Sequence, residues 1–176
     1  MLAKTIRLID RLNEHIGHAV SWLMLILAVN TFVVVILRYV FRLSWIWLQE
    51  APVYMHGILF MVAGGYTLLH EGHVRVDIFY QTWSPKIKAM VNILGCLFLL
   101  FPTCAVLLAY GWPYVMNSWH LLEGSRDTGG INGVYLLKTM ILIFPVLLGL
   151  QGFSLTGHSL LVLMNSGKIS SVDASA

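Results

Sequence analysis

The chain alternates long apolar stretches with short polar connections. Four stretches contain no Asp, Glu, Lys or Arg and together hold 106 of the 176 residues: 15–37, 51–70, 89–122 and 139–167. A helix needs about 20 apolar residues to cross the ~30 Å hydrocarbon core of a bilayer. The stretches lack the polar–apolar alternation of membrane β-strands. The pattern therefore predicts an all-α, polytopic membrane protein with four transmembrane helices and short amphipathic or interfacial segments.

The two ends of the chain differ from the stretches between them. Apolar residues before residue 15 recur every three or four positions with charges between them, which predicts either a helix along the membrane surface or a charged extension of the first span. The first stretch exceeds the apolar core of a signal peptide, so we expect it to be retained. We expect one four-helix transmembrane domain over residues 1–164 and a polar, disordered C-terminal tail over 165–176.

Turn-forming residues place the span boundaries. Pro52 predicts the first turn of the second span, after a Trp-rich connection over 42–50. Ser84 and Pro85 predict the N-cap and first residue of the third span. The Gly-rich residues 123–133 predict a loop outside the membrane.

The third stretch is too long for one upright helix. Its 34 residues would reach about 51 Å. Because Pro102 and Pro113 can kink or end a helix, we expect a tilted span to Trp112 and then an interfacial segment through Trp119.

Basic residues predict the orientation. Seven lie on one side of the predicted membrane: Lys4, Arg7, Arg11, Arg75, Lys86, Lys88 and Lys168. Four lie on the other: Arg38, Arg42, Arg126 and Lys138. The positive-inside rule then places both termini in the cytoplasm. Since these charges lie at helix ends, the net charge of +3 does not indicate a nucleic-acid partner.

Composition and motifs argue against catalysis. Charged residues form only 11% of the chain, so little polypeptide is left for a catalytic domain outside the bilayer. The sequence has no G-x-S-x-G, C-x-x-C, H-E-x-x-H or phosphate-binding glycine loop. Cys96 and Cys104 lie eight residues apart, about 12 Å on one helix, too far for a disulfide. We therefore expect no enzyme activity and no metal site.

No Asp or Glu lies deep in any predicted span, and the deep polar residues are hydroxyl, amide and histidine side chains. We expect them to form interhelical hydrogen bonds: Asn30, Thr31, His56, Asn92, Thr103, Gln151, Ser154 and His158. His56 and His70 have the spacing of axial ligands for two stacked haems, but His158 supplies only one facing ligand. No cofactor is therefore expected, although a membrane-anchor or b-type cytochrome subunit of a respiratory complex remains the alternative.

Several motifs occur in a fixed order: R-Y-x-F from Arg38, W-x-Q-E from Trp47, G-x-x-x-x-L from Gly64, and H-V-R-V-D from His73. SWHLLEGSRDTGG and LLKT…LLGLQG follow later. In a four-span chain this order resembles the small membrane subunit of TRAP transporters, the DctQ-type permease. The family often has a second acid beside Glu50, where this chain has Gln.

The resemblance implies a small, non-catalytic subunit of a sodium-driven importer of organic acids such as carboxylates, in a bacterial inner membrane. Its implied partners are the large TRAP membrane subunit, a periplasmic solute-binding protein and membrane lipids. The subgroup resemblance points to 2-oxo acids, lactate or related acids. No substrate-binding residue is expected here. The structural or interface candidates are Arg38, Tyr39, Arg42, Trp47, Glu50, His73, Arg75 and Asp77.

Two of these groups carry specific hypotheses. Glu50 is the only acid in its connection, so we expect it to pair with Arg38 or Arg42; the alternative is that these arginines reach lipid phosphates. The segment 73–77 alternates polar and apolar residues. We expect it to organise the cytoplasmic connection, the alternative being a solvated turn.

Overall fold

The computed structural model describes the backbone of residues 2–73, 80 and 82–173 and the side chains of residues 3–73, 80 and 82–164. In this part of the chain the regular elements are helical. They are α1 (Leu2–Tyr39), α2 (Ile46–Val62), α3 (Gly64–Leu69), α4 (Pro85–Gly95), a π-helical turn (Cys96–Leu100), α5 (Phe101–His120) and α6 (Val134–Asp173). The prediction of an all-α fold is confirmed.

The helices form four candidate spans, as predicted: α1, α2 with α3, α4 to α5, and α6. The second span has 24 residues, whereas α1 has 38 and α6 has 40. A 38-residue helix is about 57 Å long, which exceeds the ~30 Å core even at a tilt of about 40°. The ends of the long helices therefore reach beyond the hydrocarbon core.

The N-terminal segment is an extension of the first span. Helix α1 is continuous from Leu2, so the alternative of a separate surface helix is wrong for this chain. Its buried face is formed by Ile6, Ile9, Asn13 and Gly17, spaced three or four residues apart. This face packs against α6 and α3, so the first helix of the chain contacts the last one.

The second span begins earlier than predicted and contains a break. Helix α2 starts at Ile46, so Pro52 lies inside it and not in its first turn. The regular helix is interrupted at the single residue Ala63, which keeps right-handed helical φ and ψ of −73° and −8°, and α3 begins at Gly64. A Cβ atom on Gly64 would lie 2.6 Å from the Phe144 ring. Gly64 therefore allows α3 to approach α6 closely.

The third span is a single helical rod. Ser84 caps it as predicted, accepting a hydrogen bond from the Ile87 amide at 3.5 Å. The expected break at Trp112 and interfacial segment to Trp119 are wrong, because α5 continues through Pro113 to His120. Within a membrane helix, local adjustment and neighbouring helices compensate for the hydrogen bond that proline removes.

Helix α6 contacts every other described helix. Gly152 allows the approach to the π-helical turn, because a Cβ atom there would lie 2.6 Å from the Leu100 side chain. Cys96 and Cys104 are buried and form no disulfide with each other, as predicted. The helix continues through Asp173, so residues 165–173 are helical and not a disordered tail. The domain boundary at residue 164 stays a prediction.

Candidate functional site

Glu50 holds the loop between the third and fourth spans. Its carboxylate accepts hydrogen bonds from the Ser125 hydroxyl and, at 2.7 Å, from the Ile131 amide. One turn further along α2, the Tyr54 hydroxyl donates to the Ile131 carbonyl at 3.2 Å. A Cβ atom on Gly130 would lie 2.7 Å from the Glu50 Oε1 atom, so the loop backbone comes close to the carboxylate.

A second carboxylate closes the same loop from the other side. Lys138 Nζ of α6 donates to Glu123 Oε2 at 2.5 Å, and the Ser118 hydroxyl of α5 donates to the same oxygen at 2.7 Å. These bonds lower the pKa of Glu123, the Lys138 contact having the larger effect. The ammonium also lies 4.2 Å from the centre of the Tyr114 ring. We call Glu50, Tyr54, Ser118, Glu123, Ser125, Ile131 and Lys138 the loop cluster.

The expected pairing of Glu50 with an arginine is wrong. The carboxylate faces the loop, where both of its oxygens have donors. Among the described residues, neither Arg38 nor Arg42 forms an ion pair. Arg42 has a φ of 57°, and the chain turns there between α1 and α2. Both arginines are exposed, in agreement with the alternative that they reach lipid phosphates.

A second cluster joins α1 to α6. Asp10 accepts from Ser154 at 2.5 Å and from Gln151 at 3.0 Å, and His158 lies 2.9 Å from its second oxygen. Asn13 Nδ2 donates to Gln151 at 2.8 Å. Asn13, Gln151 and Ser154 are buried. We call these five residues the terminal cluster, because it joins the first and last helices.

Glu14 extends this connection to α3. Its two carboxylate oxygens lie 2.7 Å from His70 Nε2 and 3.0 Å from His18 Nε2. The Tyr66 ring lies between these histidines, 4.4 Å from the His70 ring and 5.9 Å from the His18 ring. The end of the second span is thereby fixed to α1.

The deep polar residues follow the prediction in part. Gln151, Ser154 and His158 form the expected interhelical hydrogen bonds. Thr31 bonds its own helix, at the Leu27 carbonyl. His56 stacks on Phe60 of its own helix, with ring centres 6.3 Å apart. These histidine contacts favour a structural role over haem ligation, and no group of His, Cys, Asp and Glu suited to a metal ion occurs among the described residues.

The predicted interface residues do not gather into one site. Glu50 belongs to the loop cluster, whereas Arg38, Tyr39, Arg42 and Trp47 are exposed near the same end of the bundle. His73 is exposed and follows α3. Arg75 and Asp77 lie outside the described residues.

Sequence reasoning missed several residues of both clusters. Glu123 and Ser125 belong to the motif EGSRDTGG, and Gln151 belongs to LLGLQG. The motifs therefore marked these residues but did not indicate which residues they bind. Asp10 had no such signal, because its partners are 141 to 148 residues away. Gln49, which replaces the second acid, donates to Ser44 at 2.6 Å before the start of α2.

Comparison with known proteins identifies the family. Searches of curated proteins and of solved structures give no match. The family model described as "Tripartite ATP-independent periplasmic transporters, DctQ component" matches residues 19–163. This region includes the W-x-Q-E and EGSRDTGG motifs, which supply residues of the loop cluster, and the α6 side of the terminal cluster. The chain belongs to the DctQ family and is the small membrane component of a TRAP transporter.

Proposed function

We propose that this chain is the small, non-catalytic subunit of a sodium-driven, binding-protein-dependent importer of organic acids in a bacterial inner membrane. It binds the large transport subunit and stabilises it in the bilayer. Both termini lie in the cytoplasm, and the loop cluster faces the periplasm. The family match supports the transporter assignment, and the seven-to-four distribution of basic residues supports the orientation.

The hydrogen-bond partners of the carboxylates are the main support for this proposal. A sodium or proton pathway needs acidic or polar ligands that a solute or ion can reach. Asp10, Glu14, Glu50 and Glu123 instead bind side chains or backbone of the same chain. They connect helix to helix and loop to helix. This arrangement suits a scaffold whose partner carries the transport sites.

The exposed residues of the spans support a role in contacting a partner and lipid. Aromatic side chains such as Trp22 and Tyr110 are 67% and 78% exposed. Aromatic residues are common in the centres of protein interfaces. The exposed Arg38, Tyr39, Arg42 and Trp47 provide a polar and aromatic border for the same contact. His73, Arg75 and Asp77 are proposed to organise the cytoplasmic connection.

Reconstitution tests the assignment. The chain is expected to co-purify stoichiometrically, in mild detergent, with the large subunit encoded beside its gene. Proteoliposomes with both subunits and the binding protein should take up a 2-oxo acid or lactate only with an inward sodium gradient. Proteoliposomes with this chain alone are the matched control and should show none. Uptake by the isolated chain would contradict the proposal.

A further inference from the structure

Two open cavities adjoin where α2, α5 and α6 meet the loop. The first has a volume of about 460 Å³ and is lined by the charged residues Glu50, Glu123, Arg126, Asp127 and Lys138. The second has a volume of about 710 Å³ and lies deeper in the bundle. Val53, Tyr114, Val134, Leu137 and Lys138 line both. The cavities therefore form one depression, charged at the loop and mainly apolar along the spans.

The apolar cavity has the depth of one membrane leaflet. It follows α2 from Pro52 to Met61, a distance of about 13 Å along a helix axis. The hydrocarbon core is about 30 Å thick, so this is close to half of it. An apolar channel of this depth beneath a charged cavity at the end of the spans has the shape required by an acyl chain below its headgroup.

The charges indicate the kind of headgroup. The polar cavity contains three carboxylates (Glu50, Glu123 and Asp127) and two cations (Arg126 and Lys138), a formal net charge of −1. Arg126 is exposed, and within the described part of the chain its side chain forms no ion pair or hydrogen bond. A purely anionic headgroup would be repelled by the carboxylates. A headgroup with a phosphate and an ammonium group matches both signs of charge.

We propose that this depression binds a zwitterionic phospholipid of the phosphoethanolamine type. Arg126 contacts its phosphate beside Lys138, Asp127 faces its ammonium group, and one acyl chain lies along α2 between Pro52 and Met61. The lipid would fill the groove between the second and fourth spans below the loop cluster. This inference does not depend on the transport activity or on the identity of the large subunit.

Native mass spectrometry of the purified, delipidated full chain tests the proposal. The protein is titrated separately with phosphatidylethanolamine and phosphatidylglycerol of the same acyl chains. Val53→Trp fills the junction of the cavities, and Arg126→Gln removes the unpaired cation. Val106→Trp and Arg38→Gln are matched controls, since Val106 is an exposed span residue and Arg38 an exposed cation, both outside the depression.

We expect the wild type to retain phosphatidylethanolamine in preference to phosphatidylglycerol. Each site variant should reduce this retention about tenfold, Arg126→Gln because one charge-assisted contact is lost and Val53→Trp because the ring occupies the path of the acyl chain, while the controls behave as wild type. Circular dichroism establishes that the variants fold. Equal retention of the two lipids, or unchanged retention in folded Arg126→Gln, would overturn the proposal. Cross-linking of a Val53→Cys variant to the large subunit in native membranes would also overturn the proposal, because it would show that protein and not lipid occupies the junction of the cavities.

Discussion

Glu50 organises the loop after the third span because it accepts from both a side chain and a backbone amide. Ile131 lies 81 positions from it in sequence, so no local pattern reveals the pair. The sequence did single out Glu50, as the only acid of its connection. It assigned the wrong partner because the arginines are near in sequence whereas the loop is near in space.

Replacing Glu50 with Gln should loosen this loop without changing the shape of the side chain. The amide group keeps one acceptor, so either Ser125 or the Ile131 amide loses its partner. We expect hydrogen exchange at the Ile131 amide to quicken about fivefold. Gln49→Ala is the matched control, because the Gln49 side chain bonds Ser44 and, among the described residues, no part of the loop. An unchanged exchange rate in Glu50→Gln would show that the hydrogen bond contributes nothing to loop order.

Glu123 predicts a pH dependence. Its pKa is lowered from the ordinary value of 4.5 by Lys138 and Ser118. A lowered pKa in the folded state means that its contribution to stability is present above the unfolded pKa and disappears as the pH falls through the folded pKa.

Thermal unfolding of wild type and Glu123→Gln across pH measures this contribution. We expect the variant to unfold at a lower temperature near neutral pH, with the gap closing below about pH 4. Asp127→Asn is the control, since the pairing with Lys138 involves Glu123 alone. A gap that persists under acid would argue against the ion pair.

Helix packing depends on glycine at specific positions of the elements. A Cβ atom on Gly17 of α1 would overlap the Tyr66 side chain down to its own Cβ, so rotation of the ring cannot relieve the clash. Gly95, at the end of α4, has no atom within 4 Å of the same hypothetical Cβ. Both glycines lie in helices, so the two sites separate packing from helix propensity.

Gly17→Ala should destabilise the purified protein, whereas Gly95→Ala should be neutral or stabilising by up to about 1 kcal/mol. Overpacking typically costs about 1–3 kcal/mol. Unfolding in a detergent titration gives both values. Equal effects of the two substitutions would show that α1 can move away from α3 at no cost.

Asp10→Leu tests the terminal cluster. The substitution leaves the buried Ser154 hydroxyl and the Gln151 amide without their acceptor, which should cost about 2 kcal/mol of stability. Asp127→Asn is again the control, as an acid on the loop between α5 and α6. A loss in Asp10→Leu no larger than in the control would indicate that the cluster is replaced by other contacts.

The sequence predicted the elements better than their contacts. The N-cap at Ser84 followed from two adjacent residues, and the four spans from lack of charge. Pro113 and Pro52 misled the prediction, because a rule for isolated helices places proline at ends, whereas packed membrane helices tolerate it inside. The charged residues before residue 15 allowed two interpretations, and the continuity of α1 from Leu2, with Ile6 and Ile9 buried, decides between them.

At the scale of the whole molecule, the proposed orientation in the membrane is inferred from the distribution of eleven basic residues and from no structural contact. Single cysteines replacing Ala3, Thr82, Thr128 and Ser171 in a cysteine-free background would test it. An impermeant thiol reagent should label only position 128 from the periplasm. Labelling of position 82 from that side would invert the molecule and place the loop cluster in the cytoplasm.

The terminal cluster makes completion of the chain a condition for its folding. Asp10 and Asn13 are translated early in synthesis, yet their partners at positions 151 to 158 emerge only when most of the chain has been translated. Until then these polar groups lack their partners, at a cost to the nascent bundle. A chain truncated before α6 would retain this defect permanently. Membrane proteases could therefore distinguish a truncated chain from a complete subunit, because the polar face of α1 stays exposed in the truncated chain.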